Sequence, residues 1–182
     1  MNDTEMFHSS RTIVPRIVRL LLLMLPLLVA CGSNAPASPA LGQPAPDFTL
    51  PTLAGPTVRL ADLKGRVVIV NFWATWCPPC ENETPRLVGW YAQHRADGLE
   101  VLGVDKLVQD SRDAVAEFVA KYNVPYAVPV DQTGDVSRQW QALQLPRSYV
   151  IDRQGVVRYV RLGELTQRDF DTQVLPLLQA DG

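Results

Sequence analysis

From Arg66 to Trp73 the chain reads Arg-Val-Val-Ile-Val-Asn-Phe-Trp, apolar at nearly every position and without the alternation of a strand that keeps one face wet. A strand of this kind must be covered on both faces, which requires a layered α/β arrangement with helices packed against a sheet. Four residues on comes Cys77-Pro78-Pro79-Cys80, and a helical pattern runs from about Pro78 to Ala96. Both cysteines therefore lie where a central strand ends and a helix begins. Unpaired backbone N–H groups and the positive end of the helix dipole are directed at that point.

The rest of the chain from Leu41 fits one domain in which strand-like and helix-like segments alternate. Leu99 to Val104 predicts the next strand, and Val115, Phe118, Val119 and Tyr122 recur at the spacing of a second helix. A short strand is expected from Tyr126 to Val130 and a helix from Thr133 to Leu143. Arg147 to Asp152 and Val156 to Leu162 predict two strands joined by a turn at Asp152-Arg153-Gln154-Gly155. A last helix starts near Thr166, with Thr166 and Asp169 as a capping box and Phe170, Val174, Leu177 and Leu178 facing inward. Pro176 should bend or shorten it.

The N-terminus has another character. Arg11, Arg16 and Arg19 precede an apolar core, Leu20 to Ala30, that ends in small residues, the pattern of an export signal. A membrane-spanning helix needs about 20 apolar residues, more than this core supplies. Leu28-Val29-Ala30-Cys31 resembles the lipobox of bacterial lipoproteins, which implies cleavage before Cys31 and a diacylglycerol on its sulfur. Ordinary cleavage after Ala35-Pro36-Ala37 is the alternative. The division expected is a lipoprotein signal over 1–30, a lipidated cysteine and flexible tether over 31–40, and the folded domain over 41–182. The protein would then stand on the periplasmic or extracytoplasmic face of a bacterial membrane, held to it by the lipid.

Among the chain's 182 residues, 17 basic side chains stand against 19 acidic ones, so no basic stripe offers itself to a phosphate backbone and nucleic acid is not an expected partner. All three methionines, Met1, Met6 and Met24, fall in the signal, and beyond it His94 is the only histidine. Copper sites built on Met and His, zinc sites of Cys and His, and Ser-His-Asp triads all lack parts. His94 follows Trp90 and Tyr91 on the first helix and fits a partly buried structural role.

With Cys31 anchored, the chain's other two cysteines, Cys77 and Cys80, remain to pair with each other. A C-x-x-C pair by itself also fits half a metal site or a structural bridge. No second ligand pair accompanies it, and closing a two-residue loop stabilises a fold little. A redox dithiol suits the strand-to-helix junction best: Cys77 as the exposed nucleophile, Cys80, one turn inside the helix, as the resolving sulfur. Pro78 and Pro79 have no N–H to offer a Cys77 thiolate, so the reduced form is less stabilised and the pair is expected to act as a reductant.

Residues 42 to 178 resemble the TlpA/ResA/CcmG branch of membrane-tethered, thioredoxin-like thiol-disulfide oxidoreductases. Gly42-Gln43-Pro44-Ala45-Pro46-Asp47-Phe48 is similar to the entry segment this branch shares with peroxiredoxins, and Val70 to Cys80 is similar to its active-site segment. The resemblance implies a thioredoxin-like fold with a central mixed sheet flanked by helices and an N-terminal strand extension. It makes Leu145-Pro146 a cis-proline loop beside the redox pair, with Leu145 and Arg147 flanking the proline. The buried aspartate that thioredoxins carry six residues before the first cysteine is Asn71 here. Glu83 matches an acidic position of the branch and is the candidate acceptor for the Cys80 proton, a surface ion pair with Arg86 being the alternative on spacing. Asp105 resembles a second acidic position of relatives, or else is a solvated loop carboxylate. Pro85 matches a kink proline, and Trp76 is either substrate rim or packing.

By resemblance, the expected function is reduction of disulfides in exported proteins such as apocytochrome c, without a bound cofactor, with electrons from a membrane thiol carrier. Peroxide reduction, suggested by the entry segment, and copper delivery for oxidase assembly are the alternatives. Thr75 lies two rather than three residues before Cys77, which does not suit a peroxidatic motif, and copper delivery lacks methionine ligands.

Overall fold

The computed structural model describes residues 38–180; the signal sequence, Cys31 and the tether up to residue 37 lie outside the described residues. A four-stranded sheet forms the centre, built from β3 (Val67–Trp73), β4 (Leu99–Asp105), β5 (Arg147–Ile151) and β6 (Val157–Leu162) in the order β4-β3-β5-β6. β3 runs parallel to β4 and antiparallel to β5, and β5 runs antiparallel to β6, so the sheet is mixed. All seven residues of β3 are buried, as its composition requires. A short hairpin of β1 (Thr49–Pro51) and β2 (Thr57–Arg59) forms the N-terminal extension.

Alternate β3 residues face two separate cores. Val68, Val70 and Phe72 pack with Phe48, Trp140 and Tyr149, while Val67 and Ile69 pack with Leu87 and Trp90 of helix α1 (Pro78–His94) and with Phe170 and Val174. Helix α2 (Arg112–Lys121) buries Val115 and Phe118 beside the cysteines. His94 is partly buried, bonded through Nδ1 to Asp97 and tilted against Phe170.

Two expected elements come out shorter. Residues 126–130 form no continuous strand: Pro129 has no N–H, and the segment bridges β4 and the end of β1 through isolated pairs, Asp105 N–H donating to the Pro129 carbonyl and Val130 N–H to that of Pro51. The helix expected from Thr133 to Leu143 spans only Asp135–Gln139 (α3), because Gln141 turns left-handed at φ 54° and Ala142 N–H reaches back to the Ser137 carbonyl. The last helix keeps its expected start, with both halves of the Thr166–Asp169 capping box made. Ahead of Pro176 it widens into a π turn over Phe170–Val174, where Leu175 N–H bonds the Phe170 carbonyl five residues back. Of its expected inner face, Leu177 is only half-buried. No helix among the described residues is long and apolar enough to cross a membrane.

Candidate active site

The sheet delivers Cys77 through a tight turn. Cys77 N–H closes on the Ala74 carbonyl at 3.3 Å, and α1 starts immediately with Pro78 and Pro79 as its first two residues, positions where a missing N–H is harmless to the helix. Cys77 is the N-cap: its Sγ accepts the N–H of Cys80 at 3.3 Å. The two sulfurs are joined as a disulfide, with Cα atoms 5.2 Å apart. Contrary to the expectation of an exposed nucleophile, Cys77 in this oxidised state is only 4% exposed, against 1% for Cys80. Trp73, Ala74, Phe118 and Val128 enclose the pair, with Leu145 packed against them.

The Leu145-Pro146 bond is cis, as the resemblance implied. Pro146 is buried and its carbonyl accepts Gly163 N–H at 2.9 Å. Trp76 is 54% exposed, so its ring belongs to the rim rather than the core, and its indole N–H is tied to the Gln109 carbonyl at 2.8 Å.

Glu83 is not at the surface. It is 1% exposed, and Arg86, its alternative partner, pairs instead with Glu164 at 2.6 Å. One Glu83 oxygen accepts the Leu165 N–H at 2.8 Å, and the other accepts Asn71 Nδ2 at 2.6 Å. Asn71 also reaches Ser148 Oγ at 2.9 Å, two residues beyond Pro146. Burial pushes the Glu83 carboxyl up to about 7, against the pull of these two donors. Cys80 lies one turn N-terminal of it on the same helix.

Asp105 is likewise no solvated carboxylate. It ends β4 opposite Trp73, has no exposed surface, and neither of its oxygens has a hydrogen-bond partner. Burial first, then the charge of the Asp110 carboxylate and its closeness as an acceptor for a protonated Asp105, and last the charge of Asp131, push it up to about 8, although no contact between the two carboxyls meets hydrogen-bond geometry. Sequence reasoning passed over Asp110, whose carboxylate receives both the N–H and the hydroxyl of Thr75. Its only sequence signal, an Asp-Ser pair ahead of a helix, points to capping, and that task falls to Ser111.

A disulfide at a helix N-terminus, Leu145 of the cis peptide packed against it and the buried Glu83 one turn along the same helix make up the candidate site. Residues 41–160 match the AhpC/TSA family. The thiol-disulfide oxidoreductase ResA of Bacillus thuringiensis subsp. konkukian is 31% identical over 163 residues, covering 84% of this chain and 93% of its own. ResA of Bacillus cereus is 34% identical over 131 residues, or 72% of this chain and 75% of the relative. The chain belongs to the AhpC/TSA family, among its thiol-disulfide oxidoreductases. Its fold is shared with a thioredoxin-family thiol:disulfide interchange protein from Chlorobium tepidum, with a TM-score of 0.68 and 31% identity over 78% of this chain and 99% of that one. The thioredoxin-like architecture and the Cys77–Cys80 bond thus rest on fold, sequence and geometry together.

Proposed function

We propose that this oxidoreductase works as a reductant outside the cytoplasm, lipid-anchored through Cys31, and that it opens disulfides in exported proteins, with apocytochrome c its leading client. The observation that carries the direction is the poverty of donors around Cys77: a single N–H, that of Cys80, reaches its sulfur. A thiolate so thinly stabilised leaves the reduced form relatively high in free energy and the pair ready to give up its electrons.

In the forward step the Cys77 thiolate attacks one sulfur of the client disulfide. That bond breaks, a Cys77–client bond forms, and the other client sulfur leaves and takes a proton. Cys80 then passes its proton to Glu83 and attacks Cys77 Sγ. The Cys77–Cys80 bond forms and the second client sulfur leaves as a thiol. The client gains two electrons and the enzyme loses two. A carboxyl near 7 is well matched to accept a proton at neutral pH. Trp76, Val108, Leu143 and Leu162 are exposed apolar side chains on segments around the cysteines and the cis-proline, a surface suited to an extended client segment beside its disulfide. Because the periplasm is kept oxidising, a membrane thiol carrier has to recharge the pair.

The test is the reduction potential of the full chain in detergent against glutathione buffers. A value near or below about −270 mV supports a reductase, and one near about −120 mV overturns the reading. Cys80→Ala in the source cells should accumulate a mixed disulfide between Cys77 and the client, and identification of the trapped chain decides the cytochrome assignment.

A further inference from the structure

Cys77 is delivered by a β-turn whose two central residues, Thr75 and Trp76, are both fastened to the segment just ahead of α2. Thr75 N–H donates to Asp110 Oδ2 at 2.7 Å, and Thr75 Oγ1 donates to Asp110 Oδ1 at 2.8 Å. Ser111 N–H, at 2.9 Å, holds the same Oδ1 from its own side, and the Trp76 indole bonds the Gln109 carbonyl at 2.8 Å. The turn's closing bond, Cys77 N–H to the Ala74 carbonyl, sets the turn but does nothing to orient it against the rest of the site. That orientation comes from residues 109 and 110.

We propose that Asp110 is a positioning residue for the redox pair, its carboxylate holding the Thr75–Trp76 turn so that Cys77 Sγ is presented in one fixed direction to a client disulfide. The proposal rests on Cys77 being the attacking sulfur and not on which way the electrons run. A charged acceptor taking two donors from one residue is a strong and directional tie. It also brings a carboxylate to Thr75, two residues before Cys77, where it opposes formation of the thiolate.

The carboxyls around Asp110 leave its oxygens free to hold the turn. Asp105 is fully buried, and burial, the neighbouring Asp110 carboxylate and the charge of Asp131 push its carboxyl up to about 8, towards the neutral form. Asp131 is buried too, but its Oδ2 is occupied by Ser137, which donates from both N–H and hydroxyl at 2.7 Å. Of the three carboxyls, the one that grips Thr75 is thus spared a charged neighbour at Asp105. An ionised Asp105 would push Asp110 off the turn.

The test uses the full chain in detergent with Asp110→Asn, Thr75→Val, Thr75→Ser and the double variant Thr75→Val/Asp110→Asn. Two quantities are read: the rate of insulin reduction driven by dithiothreitol, and the pH midpoint of Cys77 alkylation by iodoacetamide in the reduced protein. Asp110→Asn should slow insulin reduction at least tenfold and lower the alkylation midpoint by about one pH unit, the order expected when a neighbouring negative charge is removed at an effective dielectric near 20. Thr75→Val should slow the reaction at least threefold, Thr75→Ser should match the wild type, and the double variant should be no slower than Asp110→Asn alone. A purely structural role would lower the melting temperature without moving the alkylation midpoint. An Asp110→Asn protein with insulin reduction within twofold of wild type and an unmoved midpoint overturns the proposal. If that variant does not fold, equal rates for Thr75→Val and Thr75→Ser overturn it instead. Alkylation needs no client and no electron donor, so it still reports on Asp110 if the reductase reading fails.

Discussion

Replacing Pro79 by alanine should raise the reduction potential of the Cys77–Cys80 pair by about 30–60 mV, while replacing Pro78 should leave it within about 10 mV of wild type. The asymmetry follows from helix geometry. An N-cap side chain receives the N–H groups of the second and third helical residues, not the first. Cys77 is the N-cap, Pro78 and Pro79 are the first and second residues, and Cys80 is the third, whose N–H reaches Sγ at 3.3 Å. Only Pro79 withholds a donor from the sulfur. A hydrogen bond to a charged acceptor is worth about 1.5–3 kcal/mol, and the thiolate exists only in the reduced protein, so at a pH above the Cys77 pKa the whole gain falls on that side of the couple. For two electrons, about 1.4 kcal/mol corresponds to 30 mV, which gives the range stated. The Cys77 thiol should also titrate about one to two pH units lower. Alanine is a good helix former, so neither substitution unwinds α1. The assay equilibrates each variant with glutathione buffers, traps free thiols by alkylation and reads the oxidised fraction by mass. A Pro79→Ala potential equal to wild type, or a Pro78→Ala protein shifted as far as Pro79→Ala, would show that the second helical N–H does not govern the Cys77 thiolate.

Asn71→Asp sets a second carboxyl against the Glu83 oxygen now 2.6 Å from Asn71 Nδ2; two charges about 3–4 Å apart repel by roughly 4–5 kcal/mol at an effective dielectric near 20, so the pair shares one proton. The pH midpoint of the resolving step, read as release of the second thionitrobenzoate from a Cys77 adduct, should move from near 7 to at least one unit higher, and an unmoved midpoint counts against Glu83 as the acceptor. Glu83 and Asp105 both titrate above their ordinary range when folded, so the native state keeps protons that the unfolded chain has released. Their contribution to stability is therefore full at about pH 4, falls as pH rises towards 7–8 and is level above that; Asp105→Asn should remove a slope of up to about 1.4 kcal/mol per pH unit from urea denaturation between pH 5 and 8. Trp76→Ala should cost at most about 1.5 kcal/mol in the same experiment, the worth of its single hydrogen bond, yet slow reduction of insulin far more than that of a small aromatic disulfide. Trp140 is fully buried with its indole N–H unpartnered, so Trp140→Phe should cost less than about 2 kcal/mol by chemical denaturation, whereas Phe72→Ala in the same core should cost about 3–5 kcal/mol.

How far the fold could be read from the sequence depended on how local the physics was at each point. β3 was legible because a strand buried on both faces has no room for polar side chains, and α1 because its prolines, cysteines and apolar spacing lie in one short stretch. The Thr166–Asp169 box likewise closes within four residues. Glu83 was ambiguous because helical spacing offered Arg86, while the groups that hold it come from Asn71 and from Leu165, 82 residues away. Arg86 has turned to Glu164 and the Leu165 carbonyl, contacts of the same long range. Asp105 was left between two readings because a carboxylate at a strand end ordinarily meets water; here it is fully buried, its backbone bonded to Pro129 and Asp131 from a distant segment. The α3 boundary failed on a single residue, since nothing in the identity of Gln141 announces a left-handed backbone.

The two buried carboxyls near the disulfide differ in a way that separates their tasks. Glu83 is buried, yet two donors aimed at its oxygens stabilise the anion and hold its rise to about 7 from an ordinary 4.5. Asp105 starts lower, at 3.8, and with no donor on either oxygen and two carboxylates nearby it is carried further, to about 8. Near neutral pH both forms of Glu83 are accessible, as the proposed proton exchange with Cys80 requires, whereas Asp105 is displaced further towards the acid. A proton acceptor needs an environment that tolerates both of its states, and only the Glu83 site provides one. The Asp105 site tolerates only the acid, which suits a group that must stay neutral near the Asp110 carboxylate holding Thr75. Donors present at one carboxyl and absent at the other are therefore what would divide proton transfer from electrostatic support in the proposed mechanism.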